Sequence, residues 1–325
     1  MQITALAGGI GGARFLRGLL GHLRDRADTP CNVTVIGNTA DDVTLHGLRV
    51  CPDLDTVMYT LGGGIHEEQG WGRSEETFSV AADLAAYGAQ PQWFTLGDRD
   101  LATHIVRTRM LGAGMTLSQA TDALCERWQP GVRLLPMSDD RVETHVVIDD
   151  PEAGDDARRA VHFQEWWVRL HAAVPARQIL AVGIETARPA PGVLEAIAGA
   201  DVVLLPPSNP VVSIGTILGV PGIREALRAT AAPVVGVSPI VAGAPVRGMA
   251  DACLTAIGVP TTAAAVAGLY ADFLDGWLVA ESDGAETGWP EGVSVISRPL
   301  LMTDPVATAE IAAAALELAV KLSTR

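Results

Sequence analysis

Short apolar runs, each closed off by Gly, Pro, Asn or Asp, recur along the chain and leave few folds open to it. They are Ile3–Ala7, Val33–Ile36, Val132–Leu135, His145–Ile148, Ile179–Val182, Val202–Leu205, Val234–Val237, Trp277–Ala280 and Val293–Ile296. Most are β-branched or Leu-rich without strict alternation, the pattern of strands covered on both faces. Amphipathic segments at helical spacing lie between several of them: Phe15–Leu23, Ala187–Ala198 and Ile223–Ala229. This alternation predicts an α/β fold, a doubly wound, mainly parallel, Rossmann-like sheet. The stretch 56–130 breaks the rhythm, with helical patterns at Ser74–Tyr87, Leu101–Met110 and Leu117–Trp128, and is read as a largely helical insertion that walls a cleft. The Ala-rich stretch Ile257–Leu269 reads as a buried helix with its approach loop, and Val306–Lys321 as a last helix packed back on the sheet. With no repeat and no clear linker, residues 1–325 are expected to form a single α/β domain carrying the insertion.

The charge balance narrows the chemistry. The chain carries a net charge of −15, and among its basic residues Lys321 is the sole lysine. That excludes a Walker-type phosphate loop, a buried Schiff-base lysine and a basic stripe for nucleic acid, so a phosphate-bearing ligand has to be held by backbone amides, arginines or a divalent metal. Cys31, Cys51, Cys125 and Cys253 are scattered with no Cys-x-x-Cys pair, which argues against a zinc site or a disulfide framework and for a reducing cytoplasm. The run from Met1 into the first apolar segment lacks the basic start and long apolar stretch expected of a signal peptide, and no apolar stretch approaches the roughly 18 residues of a membrane span.

In an open α/β sheet ligands bind beyond the carboxyl ends of the strands. After the first predicted strand comes Gly8-Gly9-Ile10-Gly11-Gly12-Ala13-Arg14. It reads either as a tight strand-to-helix turn or as an anion site at a helix N-terminus, and its glycine density favours the second. The pattern is Gly-x-Gly-x-x-Arg and lacks the third glycine of the dinucleotide fingerprint. After the second strand, Asn38 and the adjacent acids Asp41 and Asp42 stand where a dehydrogenase places a lone ribose-binding acid. Adjacent carboxylates beside a phosphate loop suit Mg²⁺, and an Asp helix cap is the alternative. A second acidic cluster, Asp53-Leu54-Asp55-Thr56, offers one cap and one acid for the cleft. A third, Asp98-Arg99-Asp100 followed by His104, also reads as a solvated salt bridge. The strand-end loops Ser208-Asn209-Pro210 and Ser238-Pro239 offer hydrogen bonds to a base or ribose, or are turn chemistry alone. Phe163, Trp166 and Trp167, with His162 and Gln164, concentrate aromatic surface that either stacks on a flat ring or fills the core.

Taken in order, the segments AGGIGGARFL, ADDVTLHGLRVCPDLDTVMYTL, TLGDRDLATHIVR, LLPMSDDRVETHV, HFQEWWV, PPSNPVVSIGTIL and SPIVAGAPVRG resemble the 2-phospho-L-lactate transferase family of coenzyme F-420 biosynthesis over Ile3 to about Met302. The Arg-rich, Lys-poor, Ala-rich composition favours its actinobacterial, phosphoenolpyruvate-transferring branch. The resemblance implies a Mg²⁺-dependent transferase. The terminal ribityl hydroxyl of the deazaflavin Fo attacks the phosphate next to the three-carbon unit of enolpyruvyl- or lactyl-diphospho-guanosine, and GMP leaves. It implies that Gly8, Gly9, Gly11 and Gly12 hold the donor diphosphate while Asn38, Ser208, Asn209, Pro210 and Ser238 hold the GMP half. Asp41 and Asp42 become the metal candidates. The resemblance further implies that Asp55 contacts Fo and orients or deprotonates its hydroxyl, with Thr56, Thr95, Asp98 and His104 beside it and Arg99 as a phosphate clamp. Thr95 stands where archaeal relatives can carry lysine. A homodimer is the family expectation. A non-enzymatic nucleotide-sugar-binding regulator of the related gluconeogenesis-factor group is the first alternative, and an NAD-dependent oxidoreductase, disfavoured by Asn38, the second.

Overall fold

The computed structural model describes residues 1–25, 30–150, 152–154 and 157–324. Its centre is a seven-stranded sheet, all of whose neighbouring pairs run parallel. From edge to edge the strands are Ser294–Arg298, Gly276–Ala280, Val234–Val237, Val202–Leu205, Gln2–Ala7, Asn32–Gly37 and Arg133–Pro136. The inner strands Val202–Leu205, Val234–Val237 and Gly276–Ala280 are buried at every residue, as their unbroken apolar runs predict. Alternate residues feed two cores. Ile3, Ala5, Val202 and Leu204 pack against the helices Gly9–Asp25, Pro52–Leu61 and Pro305–Ser323, whereas Leu6, Val203 and Leu205 pack against Val193–Ala198, Ile214–Gly219, Ile223–Ala229 and Ala263–Gly268. The sheet is therefore covered on both faces, in the doubly wound manner expected.

Gly9–Asp25 turns Phe15, Leu16 and Leu19 inward, and its Gly18 lies against Thr308 of the C-terminal helix so closely that a Cβ there would meet the Thr308 backbone. That helix starts at Pro305, with the Asp304 carboxylate accepting from the N–H groups of Val306 and Ala307. Pro52–Leu61, Ser79–Ala86, Asp98–Gly112 and Leu117–Trp128 follow one another between the second and third strands of the sheet. Among the described residues no helix is long and apolar enough to cross a membrane.

Two expectations are corrected. The runs His145–Ile148 and Ile179–Val182 do not join the central sheet: they lie in Glu143–Asp149 and Gln178–Val182, which with Arg158–His162 form a separate three-stranded antiparallel sheet. Glu143–Asp149 alternates partly exposed and buried residues, with Thr144, Val146 and Ile148 inward, the mark of a sheet packed on one face only. The helix read at Ala187–Ala198 is confined to Val193–Ala198. Pro189 and Pro191 lie in the run that precedes it, and proline removes the backbone donors a helix needs.

The strand order has one reversal. The chain steps outward from Gln2–Ala7 through Asn32–Gly37 to Arg133–Pro136, then returns to place Val202–Leu205 on the other side of the first strand. The loops after Gln2–Ala7 and Val202–Leu205 consequently diverge, and a crevice opens between them.

Candidate functional site

That crevice is a cavity of about 860 Å³. Its floor is the glycine turn: Gly8, Gly9, Ile10 and Gly11 line it, at the N-terminus of the Gly9–Asp25 helix. Gly9 takes a φ of +63°, which glycine adopts without strain, and a Cβ on Gly11 would collide with the Pro207 carbonyl. The Gly8 N–H donates to Ser208 Oγ at 3.1 Å, tying the two diverging loops together. Ser208 and Asn209 line the cavity from the second loop and Ser238 from the third. Asn209 Oδ1 accepts from the N–H groups of Val211 and Val212, and Ser238 Oγ both accepts from and donates to Ile240, so these side chains also close their own turns. Pro210 is off the wall, its carbonyl accepting from Gly215 N–H.

The acids separate into two groups. Asp41 and Asp53 line the cavity. The Asp53 carboxylate accepts from Asn38 Nδ2 at 2.9 Å, from Gly9 N–H and from the Ser213 hydroxyl, and burial pushes its pKa up to about 6. Burial, then the nearby Asp53 charge, holds Asp41 well above the usual carboxylate range, and its Oδ1 is buried with no hydrogen-bond partner. The backbone around Asp41 is fixed from the antiparallel sheet: Gln164 Nε2 donates to the Asp41 carbonyl at 3.1 Å and His162 Nε2 lies 3.2 Å from the Asp42 carbonyl. Because His162 Nδ1 accepts from Gln164 N–H, its proton sits on Nε2 and points at Asp42.

Several predicted site residues lie elsewhere. Asp42 turns away from the cavity into an ion pair with Arg49 at 2.9 Å, and Asp55 makes a buried two-point ion pair with Arg107. His104 is buried on the same network, 3.2 Å from Asp100 Oδ2 and 3.7 Å from Asp55 Oδ2, while Tyr59 Oη donates to Asp100. Asp98 is spent on the N-terminus of Ser79–Ala86, accepting from Ser79 and Val80 N–H, and the half-exposed Arg99 pairs with Glu75 at 2.9 Å. Asn38 is fully buried: its Oδ1 accepts from Ala40 N–H and the Thr216 hydroxyl while its Nδ2 donates to Asp53, so it positions Asp53. Asp42, Asp55, Asp98, His104, Arg99 and Asn38, expected at the metal, the acceptor, the phosphate or the nucleotide, are thus each engaged within the protein and absent from the cavity wall. The physical reason is the same in each case: a partner inside the protein already claims the group.

Thr56 and Thr95 do face the cavity. Around them stand Trp71, Trp93 and Phe94 from the insertion and Phe163 and Trp167 from the far side, an aromatic surface suited to a flat ring. Of the aromatic concentration, Trp166 alone is fully buried, its indole donating to the Val174 carbonyl. Sequence reasoning passed over Trp71, Trp93 and Arg107, and it left open which of Asp53 and Asp55 reaches the cleft; Asp53 does. The spacing of Asp100, His104 and Arg107 on one helical face was the available signal for Arg107.

The family model described as 2-phospho-L-lactate transferase CofD matches residues 3–292. A protein of Thermobifida fusca named phosphoenolpyruvate transferase is 65% identical over 329 residues, covering 100% of both chains. Proteins of the same name from Kitasatospora aureofaciens and Mycolicibacterium smegmatis are 66% and 59% identical, covering 98% of this chain and 98% and 99% of theirs. A solved structure of a Bacillus halodurans protein superposes with a TM-score of 0.61 over 97% of this chain and 99% of that one, at 19% identity, and a second structure described as a upf0052 family member from the same organism gives 0.59.

Proposed function

The chain belongs to the 2-phospho-L-lactate transferase family and is a transferase, and we infer that it moves the phosphoenolpyruvyl group from enolpyruvyl-diphospho-guanosine to the deazaflavin Fo. The observation that carries this reading is the single cavity that joins a glycine turn at a helix N-terminus to an aromatic wall. A diphosphate belongs on the first and a tricyclic ring on the second. Gly8, Gly9 and Gly11, with no side chains in the way, let the diphosphate come close to the helix N-terminus, and Ser208, Asn209 and Ser238 face the nucleoside. Thr56 and Thr95, with Trp71, Trp93 and Phe94, receive Fo and bring its terminal hydroxyl to the phosphorus beside the three-carbon unit. The new bond forms between that oxygen and that phosphorus, the bond to the GMP phosphate breaks, and GMP leaves with its electron pair. The hydroxyl proton passes to a cavity carboxylate or water. Asp55 acts through Arg107 as a positioning residue that fixes the helix bearing Thr56.

Among the described residues no cluster of three or more His, Cys, Asp or Glu gathers around one point. Mg²⁺ needs less, because one or two carboxylates plus substrate phosphates and water satisfy it. The buried, unpartnered Asp41 Oδ1 beside Asp53 fits that requirement, so these two acids would hold the ion. When bound, Mg²⁺ neutralises diphosphate charge. We read the enzyme as a cytoplasmic homodimer, which light scattering would report as twice the 33.9 kDa chain.

The test is a three-part titration. Wild type is expected to bind GDP more tightly with Mg²⁺, to change Fo fluorescence on binding, and to yield the phosphoenolpyruvyl product and GMP by mass spectrometry. Asp41→Asn and Asp53→Asn should each lose the Mg²⁺ effect on GDP affinity and at least about tenfold in turnover while still binding Fo. GDP binding with no Fo response would favour the nucleotide-binding regulator and overturn the transferase reading.

A further inference from the structure

We propose that Arg14 and Arg247 form a clamp for a second anionic group on the donor, a carboxylate lying beyond the diphosphate that the glycine turn receives. The clamp rests on the donor assignment above and deepens it.

Arg14 follows Gly11 and Ile10 at i+3 and i+4 on the Gly9–Asp25 helix, so it stands on the same side as these cavity-lining residues and lines the cavity itself. Arg247 reaches the cavity from the opposite direction, on the segment after the small hairpin of Ile240–Val241 and Ala244–Pro245. The segment between residues 65 and 73 brings them together: Arg14 donates to the Glu67 carbonyl at 3.3 Å and Arg247 to the Glu68 carbonyl at 3.2 Å. These are neutral acceptors that take one donor from each guanidinium and leave the rest of each fork available.

Neither arginine has a carboxylate partner among the described residues. The nearest acid to Arg14, Glu67, is committed to Arg17 at 2.6 Å. Burial, then the charges of Arg247 and Arg17, lower the pKa of Arg14. In a chain with a net charge of −15, these two arginines share one cavity and have no carboxylate partner among the described residues, which leaves their forks open to an added anion. Among the described residues no other arginine and no lysine lines the cavity. Planar guanidinium forks match a carboxylate at two points, and in the proposed donor the group next to the transferred phosphate is the carboxylate of the three-carbon acid.

Calorimetry with GDP, with enolpyruvyl-diphospho-guanosine and with its uncharged carboxamide tests the clamp in wild type, Arg14→Gln, Arg247→Gln and the double variant. Thermal melting confirms that each is folded. Wild type should prefer the acid to the amide by about tenfold or more. The double variant should lose that preference while its GDP affinity stays within about threefold of wild type. A double variant that keeps the preference, or one that loses GDP affinity as fully as acid affinity, overturns the clamp alone. A wild type that binds none of the three overturns the donor assignment and the clamp with it.

Discussion

Asp53 and Asp55 sit two residues apart on the same helix and do different things. Residues at i and i+2 project from nearly opposite sides of a helix, so both cannot face one cavity. Asp53 reaches the glycine turn, and Asp55 meets Arg107. Asp41 and Asp42 divide in the same way across a turn, one to the cavity and one to Arg49. The acidic pairs were legible in the sequence, but the choice within each was not, because it is decided by Arg107, 52 residues from Asp55, and by Asn38, 15 residues from Asp53. Removing Arg107 should expose the cost of that choice. Arg107→Met leaves Asp55 buried without its partner and is expected to lower unfolding stability by about 3–5 kcal/mol, with Asp55→Asn in the same background recovering part of it. Urea unfolding of the two variants and the double measures this; a loss below about 1 kcal/mol would show that the pair is solvated.

Helix Asp98–Gly112 inverts the usual pattern. Thr103, His104 and Arg107 are buried, whereas Ile105 and Val106 are among its exposed residues. Hydrophobic periodicity found the helix and could not orient it, since the face that packs is set by a polar network with Asp55 and Tyr59. Pro305–Ser323 is the opposite case, an apolar stripe whose cap and starting proline are written in the sequence as Asp304-Pro305. Hydrogen bonds from Ala307 N–H, from Thr303 and from Val306 N–H hold the Asp304 pKa below its ordinary value. A carboxylate with a depressed folded-state pKa contributes stability above its unfolded value and loses it as pH falls through the folded one. Asp304→Ala should therefore melt below the parent at pH 7, and the gap should narrow as the pH drops below about 4. A gap independent of pH would mean the carboxylate charge contributes nothing to the cap.

At the scale of the whole molecule, the alternation of apolar runs and amphipathic segments was sufficient to announce a doubly wound sheet, and the ends of its strands located the cavity. It could not show which runs leave the main sheet, because the apolar runs of Glu143–Asp149 and Gln178–Val182 resemble those of the central strands, and their antiparallel pairing is set by the fold. Nor could it show that Trp71 and Trp93 would meet Phe163 and Trp167 across one space. A ligand spanning that space is expected to slow amide exchange both at residues 8–12 and at residues 207–213 when GDP is added, as read by mass spectrometry. Protection of only one of the two loops would mean the nucleotide does not bridge them. The joint between them also has a history in time. Gly8 and Ser208 touch across 200 residues of chain, so at about 5–20 residues per second a ribosome delivers the second roughly 10–40 s after the first. Throughout that interval Gln2–Ala7 has an unpaired edge where Val202–Leu205 will dock, a template for mispairing that a growing chain must keep covered. On the proposed reading the nucleotide site needs that late strand, so GDP binding would report that synthesis and folding had both passed Val202–Leu205.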